Sequence, residues 1–302
     1  MVYLKNENDE LMRFTFTTSL LNRGLLSLAL ITNIFAVSSV HADLLMTKVK
    51  AIENQLDARI GVSIYDATHN QHWHYNGDTR FPLMSTFKTF ACAKLLVDVE
   101  CGLQSLDTSS VITTNAIITW SPITEKLVGE RISLKQACAA AMTMSDNTAA
   151  NIVLTGIKGP KALTQFMRSI GDDVTRIEPG LNEALNGDKR DTTTPNAIVK
   201  SLHLLLFGNV VSENSKALLK QWMIDNKVAD SLLRSVLPKS WSIADRSGAG
   251  GSGSRGITAM VWSAERPPLM ISIYITQTGA PLALRDKAIA DIGEAIFNLY
   301  HE

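Results

Sequence analysis

Residues 246–253 read R-S-G-A-G-G-S-G, and Gly248, Gly250 and Gly253 within them have the G-x-G-x-x-G spacing of a dinucleotide-binding turn. What flanks these glycines decides the fold. Such a turn needs a strand before it and a helix after it, so that a pyrophosphate meets a helix N-terminus. Here residues 242–247 are rich in strand formers, and the segment that follows, Gly256-Ile-Thr-Ala-Met-Val-Trp262, is a second strand pattern. No helix is on offer for a phosphate. The glycines therefore read as a bent strand edge and hairpin, where a ligand can approach the backbone closely, and a nucleotide-binding fold is set aside.

The neighbouring sequence extends the pattern. A third β-rich run, Leu269–Gln277, follows, and then a helix over about Arg285–Tyr300. Near the other end, Leu44, Leu45, Val49, Ile52 and Leu56 recur at helical spacing and predict a helix over residues 43–57. Arg59–Tyr65 and His72–Tyr75 read as strands joined through the turn-rich Asp66–Asn70. Between these ends the chain is helical: Ser85 to about Val99 with a stop at Gly102, short helices with no strand of note over residues 105–175, a polar loop from Arg176 to Thr194, then Pro195–Leu206 and Ser212–Asn226. The order predicts that residues 43–83 and 226–302 form one lobe, a sheet covered by helices. Residues 84–225 would form an all-helical lobe, with a site between the two.

The chain has 302 residues, enough for one large or two small domains, and 29 basic residues balance 29 acidic ones. There is no basic excess to suggest nucleic acid and no acidic tail. Residues 1–42 stand apart. Arg13 and Arg23 precede an apolar run, Leu25–Val37, and Val40-His41-Ala42 resembles a cleavage site. The run is shorter than the ~20 residues of a membrane span, so it reads as a secretory signal peptide. Residues 1–11 are polar and read as an upstream extension before a start at Met12. Export implies an oxidising compartment, in which cysteines can pair. Cys92 and Cys101, on one helix, would lie about 13.5 Å apart, beyond the ~7 Å a disulfide allows. Any internal bridge must then include Cys138, with either partner.

Four segments could carry chemistry. Ser85-Thr86-Phe87-Lys88 opens a helix, and residues three apart share a face, so the Lys88 amine can reach the Ser85 hydroxyl. A plain capping serine with a surface lysine would have the same letters. However, a cation in the first turn opposes the helix dipole, and Phe87, Phe90 and Ala91 around it are apolar. A serine needs a nearby base to become a nucleophile, and a lysine of lowered pKa can serve. Ser145-Asp146-Asn147 breaks a helical stretch; it is either a capping turn or a second hydroxyl plus an amide for a substrate carbonyl. Arg246-Ser247-Gly248 ends a strand, where an arginine can grip a carboxylate at two points or merely guard an edge. Glu178-Pro179-Gly180-Leu181-Asn182 lies in the polar loop between Arg176 and Asp191, a composition that suits a compact functional loop as well as a solvated one. His69-x-x-His72-x-His74 offers metal-ligand residue types on the first hairpin. No H-E-x-x-H accompanies them, and they read as polar hairpin surface, with no metal expected.

In this order and spacing, the four segments resemble the class A serine β-lactamases, over about residues 43–302. The resemblance implies an α+β fold, with an antiparallel five-stranded sheet flanked by helices plus an all-helical lobe. It also implies a Cys92–Cys138 disulfide with Cys101 left free. It casts Ser85 as nucleophile, the N–H groups of Ser85 and Ala249 as oxyanion hole, Lys88 or Glu178 as acylation base and Ser145 as proton relay. Asn147 would hold the substrate amide; Glu178 and Asn182 would hold the hydrolytic water. Arg246, Ser247, Gly248 and Arg255 would receive the substrate carboxylate, Trp120 would stand at the rim, and an Arg176–Asp191 ion pair would pin the Glu178 loop. Arg246 departs from the lysine usual at that position and is similar to the carbenicillin-hydrolysing branch. Met84 stands where carbapenem-hydrolysing relatives carry cysteine, so carbapenem hydrolysis is not expected. The implied protein is a cofactor-free monomer in the bacterial periplasm that acts on small β-lactams. It binds no nucleic acid and, after signal cleavage, no membrane. A penicillin-binding D,D-peptidase or a β-lactam sensor would share Ser85 and Lys88, but Glu178 with Asn182 argues for hydrolysis.

Overall fold

The computed structural model describes residues 43–66, 68–178 and 188–301. The leader at 1–42 and Asn182 lie outside the described residues. From Leu45 onward the described residues pack as one compact unit. Helix α1 covers residues 43–55. Leu45, Val49 and Ile52 are buried at the expected spacing, whereas Leu44, read as part of the same stripe, is 62% exposed.

Five strands form the main sheet: β1 (Arg59–Asp66), β2 (Gln71–Tyr75), β3 (Ser242–Ala249), β4 (Arg255–Trp262) and β5 (Leu269–Thr276). Their order is β2-β1-β5-β4-β3, with every pairing antiparallel. The two ends of the chain thus build one sheet, and the strand after the glycine-rich turn is a hairpin partner, not a helix: Gly248 pairs with Gly256 and Ala249 with Arg255. The central strand β5 is buried along its whole length. That explains its unbroken run of apolar and small residues, since a strand covered on both faces has no solvent side to make polar.

Each sheet face has its own core. Ile60, Val62 and Ile64 of β1 sit opposite Ile275, Ile273 and Ile271 of β5, and pack with Leu45, Val49, Ile289, Ile292 and Phe297. The last three belong to α8 (Leu282–His301), which starts a few residues earlier than its sequence pattern suggested. Met260, Met270 and Tyr274 instead join the core of the helical region. There α2 (Phe87–Glu100), α3 (Leu134–Thr143), α4 (Asn147–Gly156), α5 (Gly159–Ser169), α6 (Pro195–Phe207) and α7 (Glu213–Ile224) pack together. Ser133, Asp146, Thr194 and Ser212 cap the N-termini of α3, α4, α6 and α7, each cap contributing about 1 kcal/mol.

The region 105–175 does contain strand, contrary to expectation: Ser109–Val111 pairs with Arg131–Ser133. Three-residue strands are too short for an alternating pattern to stand out from loop sequence. Cys92 of α2 and Cys138 of α3 form the disulfide, with Cα atoms 5.8 Å apart, and Cys101 is free and exposed. A bridge across 46 residues stabilises by about 4 kcal/mol in the chain-entropy picture.

Candidate active site

Ser85 lies in a single 3-10 turn, Met84–Thr86, that leads directly into α2. The turn is held from three sides. Met84 takes a left-handed backbone, φ 50°, uncommon for a residue with a side chain, and is buried beneath the glycine hairpin. The Thr86 hydroxyl bonds Leu83 O and lies 2.9 Å from Tyr274 OH on β5. Strand β3 presses against the turn so closely that a Cβ on Gly248 would lie 2.6 Å from the Ser85 backbone nitrogen. What approaches this glycine is the backbone of the expected nucleophile.

One helical turn on, Lys88 is 1% exposed. Its Nζ donates to Ser145 O at 2.7 Å, Ser145 Oγ at 3.2 Å and Asn147 Oδ1 at 2.7 Å. Burial pushes the Lys88 amine well below its ordinary pKa; the Arg246 charge adds to this and Asp146 opposes it. A neutral amine keeps a lone pair, so the Ser145 hydroxyl can then donate to Lys88 and not only accept from it.

The capping reading of Ser145-Asp146-Asn147 holds, and the turn also brings Ser145 and Asn147 to Lys88. Asp146 is a structural cap: Oδ1 accepts from Ala149 N, and Oδ2 accepts from Ile123 N and Thr124 N. That fixes the turn, and Ser145 takes the left-handed φ of 58° that aims it at Lys88. Asn147 Nδ2 donates to Thr119 O at 2.8 Å and Asn147 N to Trp120 O at 3.0 Å. The Asn147 amide retains one N–H and one lone pair for a ligand. Trp120 donates from Nε1 to Met144 O yet is 58% exposed, which makes it a rim residue and not a packing one.

Ser85, Trp120, Ser145, Asn147, Ser247, Gly248, Ala249 and Arg255 line one open cleft of about 680 Å³. Lys227, Val228, Asp230, Ser231, Leu282 and Asp286 complete its lining, and sequence reasoning did not single them out. Asp286 accepts from Arg255 Nε at 2.6 Å and from Ser231 Oγ at 2.7 Å. Its partner Arg255 is 31 positions away, a separation that carries no local signal.

Two expectations need restating. Arg246 does not line the cleft. It is wholly buried, and burial lowers its pKa to about 10. Its Nη1 donates to Asn226 Oδ1 at 3.2 Å and Met142 O at 3.4 Å, while Nε and Nη2 have no partner among the described residues. It stands on the sheet's edge strand, yet its burial rules out a guarding role at a solvent edge. Arg176 and Asp191 also differ from the expected pair, for among the described contacts both turn to Glu178. Arg176 Nε donates to Glu178 Oε1 at 2.6 Å, and Asp191 Oδ1 accepts from Glu178 N at 2.8 Å. Asp191 O in turn accepts from Leu83 N at 2.8 Å, two residues before Ser85. Burial raises the Asp191 carboxyl to about 6; the bond from Glu178 N opposes this and the Glu178 charge adds to it.

On the first hairpin, His72 lies 2.8 Å from Ser63 Oγ and His69 2.7 Å from Asp66 Oδ2. No group of three ligating side chains occurs among the described residues, nor does any of their helices have the length and apolarity to cross a membrane.

Comparison with known proteins follows the same lines. A model of the "Beta-lactamase enzyme family" matches residues 44–300. The chain is 52% identical over 274 residues to the β-lactamase CARB-3 of Pseudomonas aeruginosa, covering 90% of this chain and 95% of that one. It is 47% identical to the β-lactamase AER-1 of Aeromonas hydrophila, covering 87% and 86%. The crystal structure of the chromosome-encoded β-lactamase of Vibrio parahaemolyticus superposes with a TM-score of 0.83 at 54% identity, covering 85% of this chain and 99% of that one. The class A β-lactamase of the last common ancestor of Gram-negative bacteria gives 0.83 at 39% identity, with coverage of 85% and 99%.

Proposed function

This chain belongs to the class A branch of the β-lactamase enzyme family, and from that membership we propose that it hydrolyses the β-lactam amide of penicillins through an acyl-enzyme on Ser85. The observation that carries the proposal is the buried Lys88 amine, bonded to Ser145 and Asn147 in the wall of the cleft that holds Ser85.

Ser85 Oγ attacks the β-lactam carbonyl carbon and passes its proton to a base. The lowered pKa of Lys88 supports the neutral amine in that role, with Glu178 through a water as the other route. The N–H groups of Ser85 and Ala249 receive the negative oxygen. As the ring C–N bond breaks, Ser145 gives its proton to the departing nitrogen and is resupplied from Lys88. Asn147 holds the side-chain amide of the substrate and Trp120 covers its rim. Glu178, with Asn182, then takes a proton from water, whose oxygen attacks the ester carbonyl; as the C–Oγ bond breaks, that proton is returned to Ser85 Oγ and the hydroxyl is restored. Arg176 and Asp191 set Glu178 in place through the bonds described above.

Ser247, Gly248 and Arg255 form the end of the cleft for the ring carboxylate, backed by the charge of Arg246. Because an arginine does not lose its charge, Arg246 favours penicillins with a second carboxylate, such as carbenicillin. The enzyme works as a monomer in the periplasm once residues 1–42 are removed, and it needs no cofactor. Hydrolysis of benzylpenicillin and carbenicillin, followed by loss of β-lactam absorbance, tests the proposal. Turnover by the wild type and none by Ser85→Ala supports it; turnover by a folded Ser85→Ala contradicts it.

A further inference from the structure

Among the described residues, Arg246 is anchored through one side-chain nitrogen. Nη1 meets Asn226 Oδ1 and Met142 O, while Nε and Nη2 carry no partner among the described residues. Both nitrogens are themselves buried and Arg246 does not line the cleft, so its charge acts on a ligand through the cleft wall and not by direct contact. Leaving a buried donor unsatisfied is costly, so the arrangement must be held in place. Of the two anchors, Asn226 Oδ1 is the nearer.

Asn226 is itself wholly buried and uses both ends of its amide. Nδ2 donates to Asp245 Oδ1 at 2.7 Å; Oδ1 accepts from Arg246 Nη1 and from Val228 N, each at 3.2 Å. Asp245 is also held by Arg234, whose Nε donates to Oδ2 at 2.9 Å. Val228 lines the cleft, and its carbonyl accepts from Ser247 Oγ at 3.2 Å. An amide suits this position. It offers a donor to an anion on one side and an acceptor to a cation and an N–H on the other. An acid here would set a second carboxylate against Asp245.

We propose that Asn226 is the positioning residue for Arg246: it clamps Nη1 and ties that buried guanidinium to the Val228–Ser247 wall, so that the charge acts on the cleft from behind the wall and selectivity for dianionic penicillins depends on it. This rests on the reading of Arg246 given above. The test measures kcat and KM on carbenicillin and benzylpenicillin for the wild type, Asn226→Asp, Asn226→Leu, Arg246→Lys and the Asn226→Asp/Arg246→Lys double variant.

In Asn226→Asp the new carboxylate pairs with Arg246 and takes up its charge. The carbenicillin KM rises about tenfold, kcat is held and benzylpenicillin changes little, which is the signature of lost uniform binding. Asn226→Leu shifts the ratio the same way, and Asn226→Ser replaces any variant that does not fold. In the Arg246→Lys background, Asn226→Asp adds nothing to the ratio. Equal losses on both substrates, or an unchanged ratio in a folded variant, overturn the proposal. If Arg246→Lys itself leaves the ratio unchanged, the reading of Arg246 fails instead; if the wild type hydrolyses neither substrate, the assignment of activity fails.

Discussion

Gly248 and Ser85 are so close that a methyl group on the glycine would lie 2.6 Å from the Ser85 backbone nitrogen and from Met84 Cβ. No real Cβ tolerates that distance to a backbone atom, so Gly248→Ala must move either the strand or the turn. The donor displaced is the Ser85 N–H, one half of the proposed oxyanion hole. The cost of overpacking is about 1–3 kcal/mol of stability, and losing one oxyanion donor lowers kcat by about 10²–10³. Thermal melting and steady-state kinetics of Gly248→Ala check this. A variant with unchanged kcat would show that the close approach has no part in the chemistry.

The buried amine of Lys88 gives a prediction with a sign. Its pKa in the folded chain is well below the ordinary lysine value, so between the two values the unfolded chain binds more protons. Stability then rises with pH across that window and is lost as pH falls through the folded pKa. Acylation by a neutral lysine is full across that window and falls only at its acid end, as pH drops through the folded pKa. Lys88→Met is expected to abolish acylation while flattening this part of the stability profile. Denaturant melts over a pH series, paired with single-turnover kinetics, measure both. A Lys88→Met protein that keeps the wild-type pH slope would contradict the assignment.

Asp191 links two parts of the site: its side chain accepts from Glu178 N and its carbonyl from Leu83 N. With its carboxyl raised to about 6, the folded chain binds the extra proton between the ordinary aspartate range and that value. Stability therefore falls as pH rises from about 4 to 6. Asp191→Asn keeps an acceptor for Glu178 N, so that slope disappears. The bond is no longer charge-assisted and weakens, so Glu178 is held less firmly and deacylation slows. Melts at about pH 3 and about pH 7, on either side of the window at about pH 4–6, together with acyl-enzyme lifetimes, decide the matter. Unchanged turnover of a good penicillin would remove Asp191 from the account.

The sheet was legible because each strand carries a run of β-branched and apolar residues, and because strands at both ends of the chain need partners. The helical turn over Ser85–Lys88 and the capping turn at Ser145–Asn147 were legible through spacing, as helical geometry and capping chemistry are local, but the bonds of Lys88 run to Ser145 and Asn147. Long-range relations were not. Nothing in the letters places Asp286 on Arg255 or Asn226 between Asp245 and Arg246. The burial of Arg246 was equally hidden, since charged residues are almost never fully buried unless paired. The expected Arg176–Asp191 contact was a sound inference from charge, but the structure spends both side chains on Glu178. The short pair Ser109–Val111 and Arg131–Ser133 was missed because so few residues carry no periodicity.

The central claim is a Ser85 acyl-enzyme hydrolysed by a water that Glu178 activates. Intact-mass spectrometry of the mature protein mixed with carbenicillin, followed over time for wild type and Glu178→Ala, tests it most directly. The account predicts that wild type consumes the substrate without lasting modification, while Glu178→Ala accumulates one covalent adduct that peptide mapping places on Ser85. A wild type that stays acylated would mark a penicillin-binding or sensing protein. A Glu178→Ala protein that turns over as wild type does, with no adduct, would contradict the role of Glu178.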